Sequence, residues 1–429
     1  MAKQQEEALG VPVIPVFWIA GEDHDYAEVN HVYAYDHDAV RKLSYHQEGT
    51  GLTSLSQIQI DQLRLENWIE AIFQAFGETE YTKDLLEQVK DDAKHSRTFI
   101  DFFARQIQRL FGKDGLVLLD SGDPNLRQLE SPLFNEIIDH SEAIASSVVH
   151  QLDALSQQGY TVNLDQRKDS ANLFILNQDE RVLLYRDEEG RFINENRGFS
   201  IEQSDLKTMA NQHPENLSNN VVTRPLMQEF LLPTLAFIGG AGELAYWSTL
   251  KLAFHEVGFK MPPVLLRHRL ILVDRKTDRW IKSKGLKVED ALTQEFYTKK
   301  EEWLAEQHEW DVEAVSETVE KEIQSSYQAL ASLALKVDAD LEGVAKKNLE
   351  LIQKQLEYMT KTIHRKIRKG YATELRKFDR VKACLFPDGK PQERVWSAFY
   401  FINYWGTEWV NELLETPIAF DGQTMIVHL

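Results

Sequence analysis

An apolar run near the N-terminus that ends in a cluster of charges constrains the fold most strongly. Residues 11–20 are apolar almost throughout, and the run stops at Gly21. A near-continuous hydrophobic run is typical of a strand that helices cover on both faces. In open α/β sheets, ligands bind outside the carboxyl ends of the strands, so a charged cluster here predicts a site. The alternative is a solvated acidic loop that caps the next element. The ionisable residues that follow directly are Glu22, Asp23, His24 and Asp25.

The segments after this run alternate between helical and strand-like patterns. Such alternation is typical of βαβ units and a parallel sheet. The same pattern returns later in the chain, so we expect a Rossmann-like parallel sheet core that is interrupted by insertions. The spacing of apolar residues predicts helices over 55–76, 82–111, 132–155 and 244–257, and strands over 116–119, 235–238 and 264–273.

Two further regions have patterns of their own. Short runs at 160–163, 172–176 and 181–186 are separated by Asp, Asn and Gly, which predicts a small antiparallel β insertion. Residues 311–382 are charged and carry apolar residues in steps of three and four, so two long helices should fold back as an antiparallel coiled-coil hairpin.

These patterns predict an α/β protein in six segments. They are a first part of the Rossmann-like core (1–54), core and connective helices (55–158), the β insertion (159–200), a second part of the core (201–306), the coiled-coil hairpin (307–385) and a C-terminal helical segment that returns to the core (386–429).

Composition excludes several classes of function. The 429 residues carry a formal net charge of -20, which disfavours nucleic acid and anionic membrane surfaces as partners. The single cysteine, Cys384, excludes a disulfide framework and fits a reducing cytosol, where a buried structural thiol is expected. No apolar run approaches the ~20 residues of a membrane helix, and residues 1–10 do not resemble a signal peptide. We therefore expect a cytoplasmic protein.

Several segments in order along the chain resemble the bacillithiol-biosynthesis cysteine-adding enzymes, the BshC family. The family has a further N-terminal segment, a first strand with a Thr-Gly-Gln-Gln turn and a helix. We therefore expect this chain to begin in the last turns of that helix. The segments that carry the resemblance are Phe17-Trp18-Ile19-Ala20-Gly21-Glu22-Asp23-His24-Asp25, Asn30-His31-Val32-Tyr33, Thr223-Arg224-Pro225-Leu226-Met227-Gln228, Phe237-Ile238-Gly239-Gly240-Ala241-Gly242-Glu243, Ala245-Tyr246-Trp247, Met261-Pro262-Pro263, Leu385-Phe386-Pro387 and Gln392-Glu393-Arg394.

The resemblance implies both a fold and an activity. The fold is a Rossmann-like core related to class I aminoacyl-tRNA-synthetase-type nucleotidyltransferases, with a C-terminal coiled coil through which the protein forms a homodimer. The activity is condensation of L-cysteine with the amine of glucosaminyl-malate, the last step of bacillithiol biosynthesis. An amide does not form from a free carboxylate and an amine without activation, so ATP or another donor is expected, with ATP or ADP as the suspected nucleotide.

The resemblance also favours the charged cluster as the catalytic site. A histidine flanked by carboxylates is suited to proton transfer near neutral pH, so His24 with Asp23 or Asp25 is the candidate base. Three consecutive residues alternate in direction on an extended chain, which disfavours a shared metal ion. Further candidates for substrate contacts are Glu22, Asn30 and His31.

Arginines and glycines supply the remaining candidates. A guanidinium fork is a natural receptor for the malate carboxylates, and arginines two apart on one strand would share a face. The alternative is an edge strand with solvated charges. Glycines between a strand and a helix could admit a phosphate, although a tight turn explains them equally and Glu243 would compete. The candidates are Arg224, Arg267 and Arg269 for substrate, and Gly239, Gly240, Gly242 and Gln392 for a nucleotide.

Two other functions remain open from the sequence. The chain could be a non-catalytic dimeric scaffold or an inactive truncated family member, in which the hairpin is the working part. A relative that acts on tRNA is a more distant alternative, against which the net charge of -20 counts.

Overall fold

The computed structural model describes residues 1–36, 39–47, 51, 53–177, 180–416 and 420–429. The chain forms two compact units, and each has its own hydrophobic core. The first unit comprises Met1–Ala34, Arg41–Leu270 and Trp396–Met425, and the second comprises Tyr35–Val40, Ile271–Val395 and Ile426–Leu429.

The apolar run ends in a strand, as predicted. Strand β1 pairs in parallel with β4, and the pairing places Ile19 opposite Asp120. Because both strands end at the same edge, the loops that follow them are neighbours. The elements here are α1 (Ala2–Leu9), β1 (Val16–Ile19), α2 (Tyr26–Val29), β2 (His31–Asp36), β3 (Ala39–Ser44), α3 (Gln62–Phe76), α4 (Thr82–Lys94), α5 (Phe99–Phe111) and β4 (Val117–Asp120).

The single helix predicted over 82–111 is wrong, because the chain forms α4 and α5 instead. Thr98 begins the second helix with a reciprocal capping box. The Thr98 side chain accepts a hydrogen bond from the Asp101 amide at 3.1 Å, and the Asp101 carboxylate accepts one from the Thr98 amide at 3.2 Å. A local cap of this kind outweighs the continuous apolar periodicity.

The antiparallel β insertion is confirmed, with corrected limits. Five strands form a sheet in the order β8-β7-β6-β5-β9, and all pairings are antiparallel. Residues 160–163 are not a strand, and the helix predicted over 132–155 is two helices. The elements are α6 (Pro124–Asp139), α7 (Ser141–Gln157), β5 (Ser170–Asn177), β6 (Glu180–Arg186), β7 (Phe192–Asn194), β8 (Phe199–Ile201), α8 (Gln203–Gln212), β9 (Leu217–Asn219) and α9 (Thr223–Leu231).

The core of the first unit joins this sheet to the helices. Leu133 and Phe134 of α6 and Ile144 of α7 pack with Leu173 of β5 and Leu226 of α9, and all five are at most 2% exposed. The core therefore fixes α6 and α9 relative to the β insertion.

A second pair of parallel strands comes after α9 in the chain. Strands β10 and β11 pair in parallel, as the predicted return of the pattern requires. The helix predicted over 244–257 is divided, and so is the strand predicted over 264–273. The Arg267 amide continues the first pairing by donating to the Gly239 carbonyl at 2.7 Å, whereas β12 pairs with the C-terminal strand. The expectation that Arg267 and Arg269 share one strand is therefore wrong. The elements are β10 (Phe237–Gly239), α10 (Ala241–Trp247), α11 (Lys251–Glu256), β11 (Val264–Leu266) and β12 (Arg269–Val273).

The predicted helical hairpin is confirmed in the second unit. Ser316 contacts Thr360 at 2.9 Å between hydroxyl oxygens, and the Tyr327 hydroxyl donates to the Ala345 carbonyl at 2.9 Å, so the two helices run antiparallel. No helix in the described residues is both long and apolar enough to cross a membrane. The remaining elements are α12 (Arg275–Ser283), α13 (Glu295–Glu306), the hairpin helices α14 (Val312–Val337) and α15 (Glu342–Gly370), α16 (Ala372–Leu385), α17 (Ala398–Trp405), α18 (Glu408–Glu415) and β13 (Thr424–His428).

Candidate functional site

The loop after β1 is held tightly against its neighbours. A Cβ atom on Gly21 would lie 2.0 Å from Oδ1 of Asp120, so only glycine allows this approach to the end of β4. The Gly21 carbonyl accepts a hydrogen bond from the Ser56 amide at 2.9 Å, and the Asp23 carbonyl accepts one from the Leu55 amide at 2.8 Å. The charged cluster therefore has a fixed backbone.

Glu22 is a buried carboxylate that holds two arginines. Its side chain is 2% exposed, with Oε2 at 2.5 Å from Nη2 of Arg127 and Oε1 at 2.8 Å from Nε of Arg224. The Asn219 amide also donates to Oε2, at 3.1 Å. Burial alone would raise the pKa of Glu22, but Arg127, Arg224 and Arg181 together lower it to about 2. Glu22 is therefore ionised at neutral pH and organises the cations around it.

Asp23 joins the same network through one oxygen. Its Oδ1 receives Nη2 of Arg224 at 2.5 Å and Nη1 of Arg181 at 3.0 Å. Arg181 is anchored further by Ser218 and by the Asn219 carbonyl, and its guanidinium lies 3.9 Å from the ring centroid of Phe174. Because two guanidinium groups already occupy Oδ1, Asp23 is suited to orientation more than to proton transfer.

The network continues into the protein interior through residues that sequence reasoning missed. Arg127 bonds Glu130, whose side chain is 0% exposed, and burial raises the pKa of Glu130 to about 7. A signal for this pair was available, because Arg127 and Glu130 are three apart on the helix face that carries Leu133 and Phe134. Arg181 lies in a short strand among other charges, and nothing in the sequence distinguishes it.

His24 and Asp25 keep polar atoms that the network does not use. The His24 ring packs edge-on against Phe174 with centroids 6.4 Å apart, and its Nδ1 is buried without a hydrogen-bond partner in the described part of the chain. Asp25 stands before α2 but forms no side-chain cap. Within the described residues, neither His24 nor Asp25 forms a side-chain hydrogen bond, whereas Asp23 uses one of its two carboxylate oxygens.

A cavity of about 450 Å³ opens beside this loop. Its wall is mainly aromatic and aliphatic, with carboxylates at Asp23, Asp25 and Glu28 and no arginine, lysine or histidine among the described residues that line it. Within the described ranges, no three His, Cys, Asp or Glu residues are placed to hold a metal ion. The site thus has an arginine-rich side formed by Arg224 and Arg181 and an acidic side that faces an apolar cavity.

Asn30 and His31 lie where α2 ends and β2 begins. Their side chains face each other, with Nδ1 of His31 at 3.4 Å from Oδ1 of Asn30. The His31 ring packs against Tyr33 with centroids 5.2 Å apart, and the Asn30 carbonyl accepts from the Tyr45 amide at 2.7 Å. Their predicted contact with substrate stays a prediction.

The glycine turn after β10 is capped from within. The Glu243 carboxylate accepts from the Gly240 amide at 2.6 Å, so it occupies an N–H group that a phosphate at this turn would use. A Cβ atom on Gly239 would meet Phe237 at 2.8 Å, whereas one on Gly242 would meet nothing within 4 Å. The Gly240 amide is therefore occupied, and the role of Gly239, Gly240 and Gly242 toward a nucleotide stays a prediction.

Tyr246 connects this turn electrostatically to the acidic loop. Burial raises the pKa of its hydroxyl, the charges of Glu243 and Asp23 raise it further, and Arg224 lowers it. The pKa of the Tyr246 hydroxyl is therefore sensitive to the charges of both Glu243 and Asp23, and a common site for the glycine turn and the Asp23 loop stays a prediction.

The other predicted binding residues lie in different surroundings. The Arg269 guanidinium donates to the Gly422 carbonyl at 3.0 Å, and neither Arg267 nor Arg269 forms an ion pair with the acidic loop in the described residues. Gln392 belongs to the second unit, where its amide bonds both backbone groups of Leu272 and the Cys384 carbonyl. Those contacts consume the polar atoms of Gln392, and its role toward a nucleotide stays a prediction.

These features define a class of protein: an α/β protein with a buried acid–arginine network after paired parallel strands, and a helical hairpin. Residues 1–268 match the family model described as "Bacillithiol biosynthesis BshC, N-terminal Rossmann-like domain", and residues 270–429 match "Bacillithiol biosynthesis BshC, C-terminal coiled-coil domain". The chain belongs to the bacillithiol-biosynthesis BshC family, which confirms the resemblance and the Rossmann-like and coiled-coil fold class.

Curated relatives agree along the whole chain. It is 39% identical over 430 residues to the protein named "Putative cysteine ligase BshC" from Geobacillus sp. (strain WCH70), a match that covers 100% of this chain and 79% of the relative. Proteins of the same name from Bacillus cereus and Geobacillus thermodenitrificans are 38% and 40% identical, with 100% of this chain and 80% and 79% of those relatives covered.

Proposed function

We propose that this chain is a ligase that forms the amide bond between L-cysteine and the amine of glucosaminyl-malate, in the last step of bacillithiol biosynthesis. Family membership and the relatives' name as cysteine ligases support the reaction class. The side-chain arrangement around Asp23 supports this choice of substrates, because it offers arginines for the substrate carboxylates and acidic side chains for the amine.

The observation that carries the proposal is the state of Arg224. Its Nε and Nη2 are bound to Glu22 and Asp23, while its side chain is still 20% exposed and Nη1 has no partner among the described residues. An arginine that is fixed on one edge and open on the other suits a ligand carboxylate. We assign this edge to the malate carboxylates of the substrate.

The proposed chemistry divides into binding and proton transfer. The glucosaminyl nitrogen attacks the activated carboxyl carbon of cysteine, a C–N bond forms, and the C–O bond to the activating group breaks. The proton lost by the nitrogen goes to His24, and the acidic side at Asp25 and Glu28 attracts the ammonium form of the amine.

Two measurements test this function. Calorimetry with glucosaminyl-malate should show binding to the wild-type chain, and mass spectrometry should detect bacillithiol when L-cysteine and an activating nucleotide are added. A non-catalytic scaffold predicts no heat and no product, so that result would reject the proposal.

Replacing His24 by alanine should lower kcat by about a hundredfold, because a positioned general base contributes at least that much. The shape of the pH–rate profile should also change in the same variant. Asp25→Asn serves as the comparison, since Asp25 is the other predicted catalytic residue whose side chain forms no hydrogen bond in the described residues. An unchanged pH–rate profile in His24→Ala would remove the base assignment.

The hairpin supports a homodimer as part of the same proposal. Its helices expose apolar side chains after they have packed on each other, including Leu330 and Leu333 on α14 and Val344 and Leu351 on α15, each more than half exposed. A second copy of the hairpin would present the same stripe, as a two-fold interface requires. We therefore propose that two chains associate through α14 and α15.

Two glutamate substitutions among the exposed apolar residues of α14 should dissociate the dimer. We expect Leu330→Glu with Leu333→Glu to shift the mass measured by sedimentation from dimer to monomer, because burying two carboxylates without partners is unfavourable. Leu63→Glu is the matched control, since Leu63 is 69% exposed in the first unit and should leave the mass unchanged. A wild-type chain that sediments as a monomer would contradict the interface.

A further inference from the structure

Arg127 is a buried arginine that lies between the carboxylates of Glu22 and Glu130. Its Nη2 bonds Glu22 at 2.5 Å and its Nη1 bonds Glu130, so both ends of the fork are occupied. Arg127 does not line the cavity beside Asp23 and Asp25. Any effect on a ligand must therefore pass through another residue.

Glu22 provides that connection. Its Oε2 receives Arg127 and the Asn219 amide, which leaves Oε1 for Nε of Arg224. A carboxylate that is free to rotate would instead meet a guanidinium with both oxygens in a bidentate pair. Such a pair would draw further N–H groups of Arg224 away from a ligand.

We infer that Arg127 is a positioning residue, which holds Glu22 so that Arg224 keeps one edge open for substrate carboxylates. The inference rests on the proposed function, because the malate carboxylates are the ligand assigned to that edge. Glu130 completes the arrangement by fixing the second end of the Arg127 fork. A point charge such as lysine cannot satisfy both carboxylates in this planar geometry.

The effect should appear in binding more than in turnover. The malate part of the substrate is remote from the bond that forms, and contacts made equally in ground and transition states change KM without changing kcat. We expect Arg127→Lys to weaken Kd for glucosaminyl-malate roughly tenfold, the size of a typical coupling between contacting residues. The kcat should stay within about threefold. Calorimetry and steady-state kinetics measure the two quantities.

A double-mutant cycle separates positioning from a purely structural role. If Arg127 acts through Arg224, then adding Arg127→Lys to Arg224→Lys should change Kd by less than about twofold. If Arg127 had only a structural role, Arg127→Lys and Arg224→Lys would each weaken Kd independently. Glu130→Met gives a second test that leaves the positive charge in place, with an expected loss of about threefold or more in Kd because the Arg127 fork has lost an anchor.

The matched control is Arg109→Lys. Arg109 forms a bidentate pair with the buried Asp92 in the same unit, at 3.1 and 2.6 Å, and no described contact links it to Glu22. The Arg109→Lys variant should be less stable than the wild type but should bind glucosaminyl-malate with the same Kd. No binding by the wild-type chain would reject the proposed function itself, whereas wild-type binding with an unchanged Kd in folded Arg127→Lys and Glu130→Met would overturn the positioning role.

Discussion

Replacing Glu22 by glutamine should reduce the free energy of unfolding by about 3–5 kcal/mol, the cost of removing one partner from a buried ion pair. The side chain is 2% exposed and faces Arg127 and Arg224 directly. Glutamine keeps the shape but removes the charge, so both guanidinium groups lose their shared counterion in a medium that solvates them poorly. Urea denaturation at pH 7 measures the difference.

The pH dependence of that difference checks its cause. The folded pKa of Glu22 is about 2, against an ordinary value of 4.5, so its contribution is present above about pH 4.5 and is lost as the pH falls toward 2. The gap between the wild type and Glu22→Gln should therefore be full at pH 6 and shrink below pH 4.5. A gap that does not change between pH 6 and pH 3 would mean that packing, and not charge, carries the effect.

Asp92→Asn is the control for this prediction. Asp92 is 5% exposed and pairs with Arg109, whose side chain is 39% exposed. Since water can reach the arginine that is left behind, the expected loss is only about 1–2 kcal/mol. A loss as large as that of Glu22→Gln would show that any buried acid in this unit behaves alike.

Part of the site could be predicted from the sequence because it depends on local pattern. The apolar run and the charges after it place Glu22 and Asp23 at the end of a strand, and the structure confirms that strand and its parallel partner. Arg224 was named through the family resemblance, and it does contact both acids. Strand ends gather in space by topology alone, which is why this part follows from one sequence.

The rest of the network depends on contacts that a pattern does not encode. Glu22 meets Arg127 across 105 residues, and Asp23 meets Arg181 across 158. A charged residue in a helix or short strand is most often exposed, and only tertiary packing decides that these two arginines are buried. For Arg267 and Arg269, the regular spacing suggested a contact that the fold does not make. The two arginines were expected on one strand, but β11 and β12 are separate strands that pair in two different sheets.

Glu130 should make stability fall as the pH rises through neutrality. Burial raises its folded pKa to about 7 from 4.5, so between these values the folded state holds a proton that the unfolded state has released. The stabilisation from that proton is fully present below about pH 4.5 and is lost as the pH rises through 7. We expect Glu130→Gln, which cannot ionise, to gain about 3 kcal/mol relative to the wild type between pH 5 and pH 8.

Urea denaturation of both proteins at pH 5, 6, 7 and 8 measures this difference, since the two proteins differ in a single ionisable group. Glu136→Gln on the same helix is the control, because a side chain that is 60% exposed contributes little and its curve should run parallel to that of the wild type. If Glu130→Gln also ran parallel, Glu130 would be ionised throughout. Arg127 would then be shared between two fully charged carboxylates, and its hold on Glu22 would be weaker than the geometry implies.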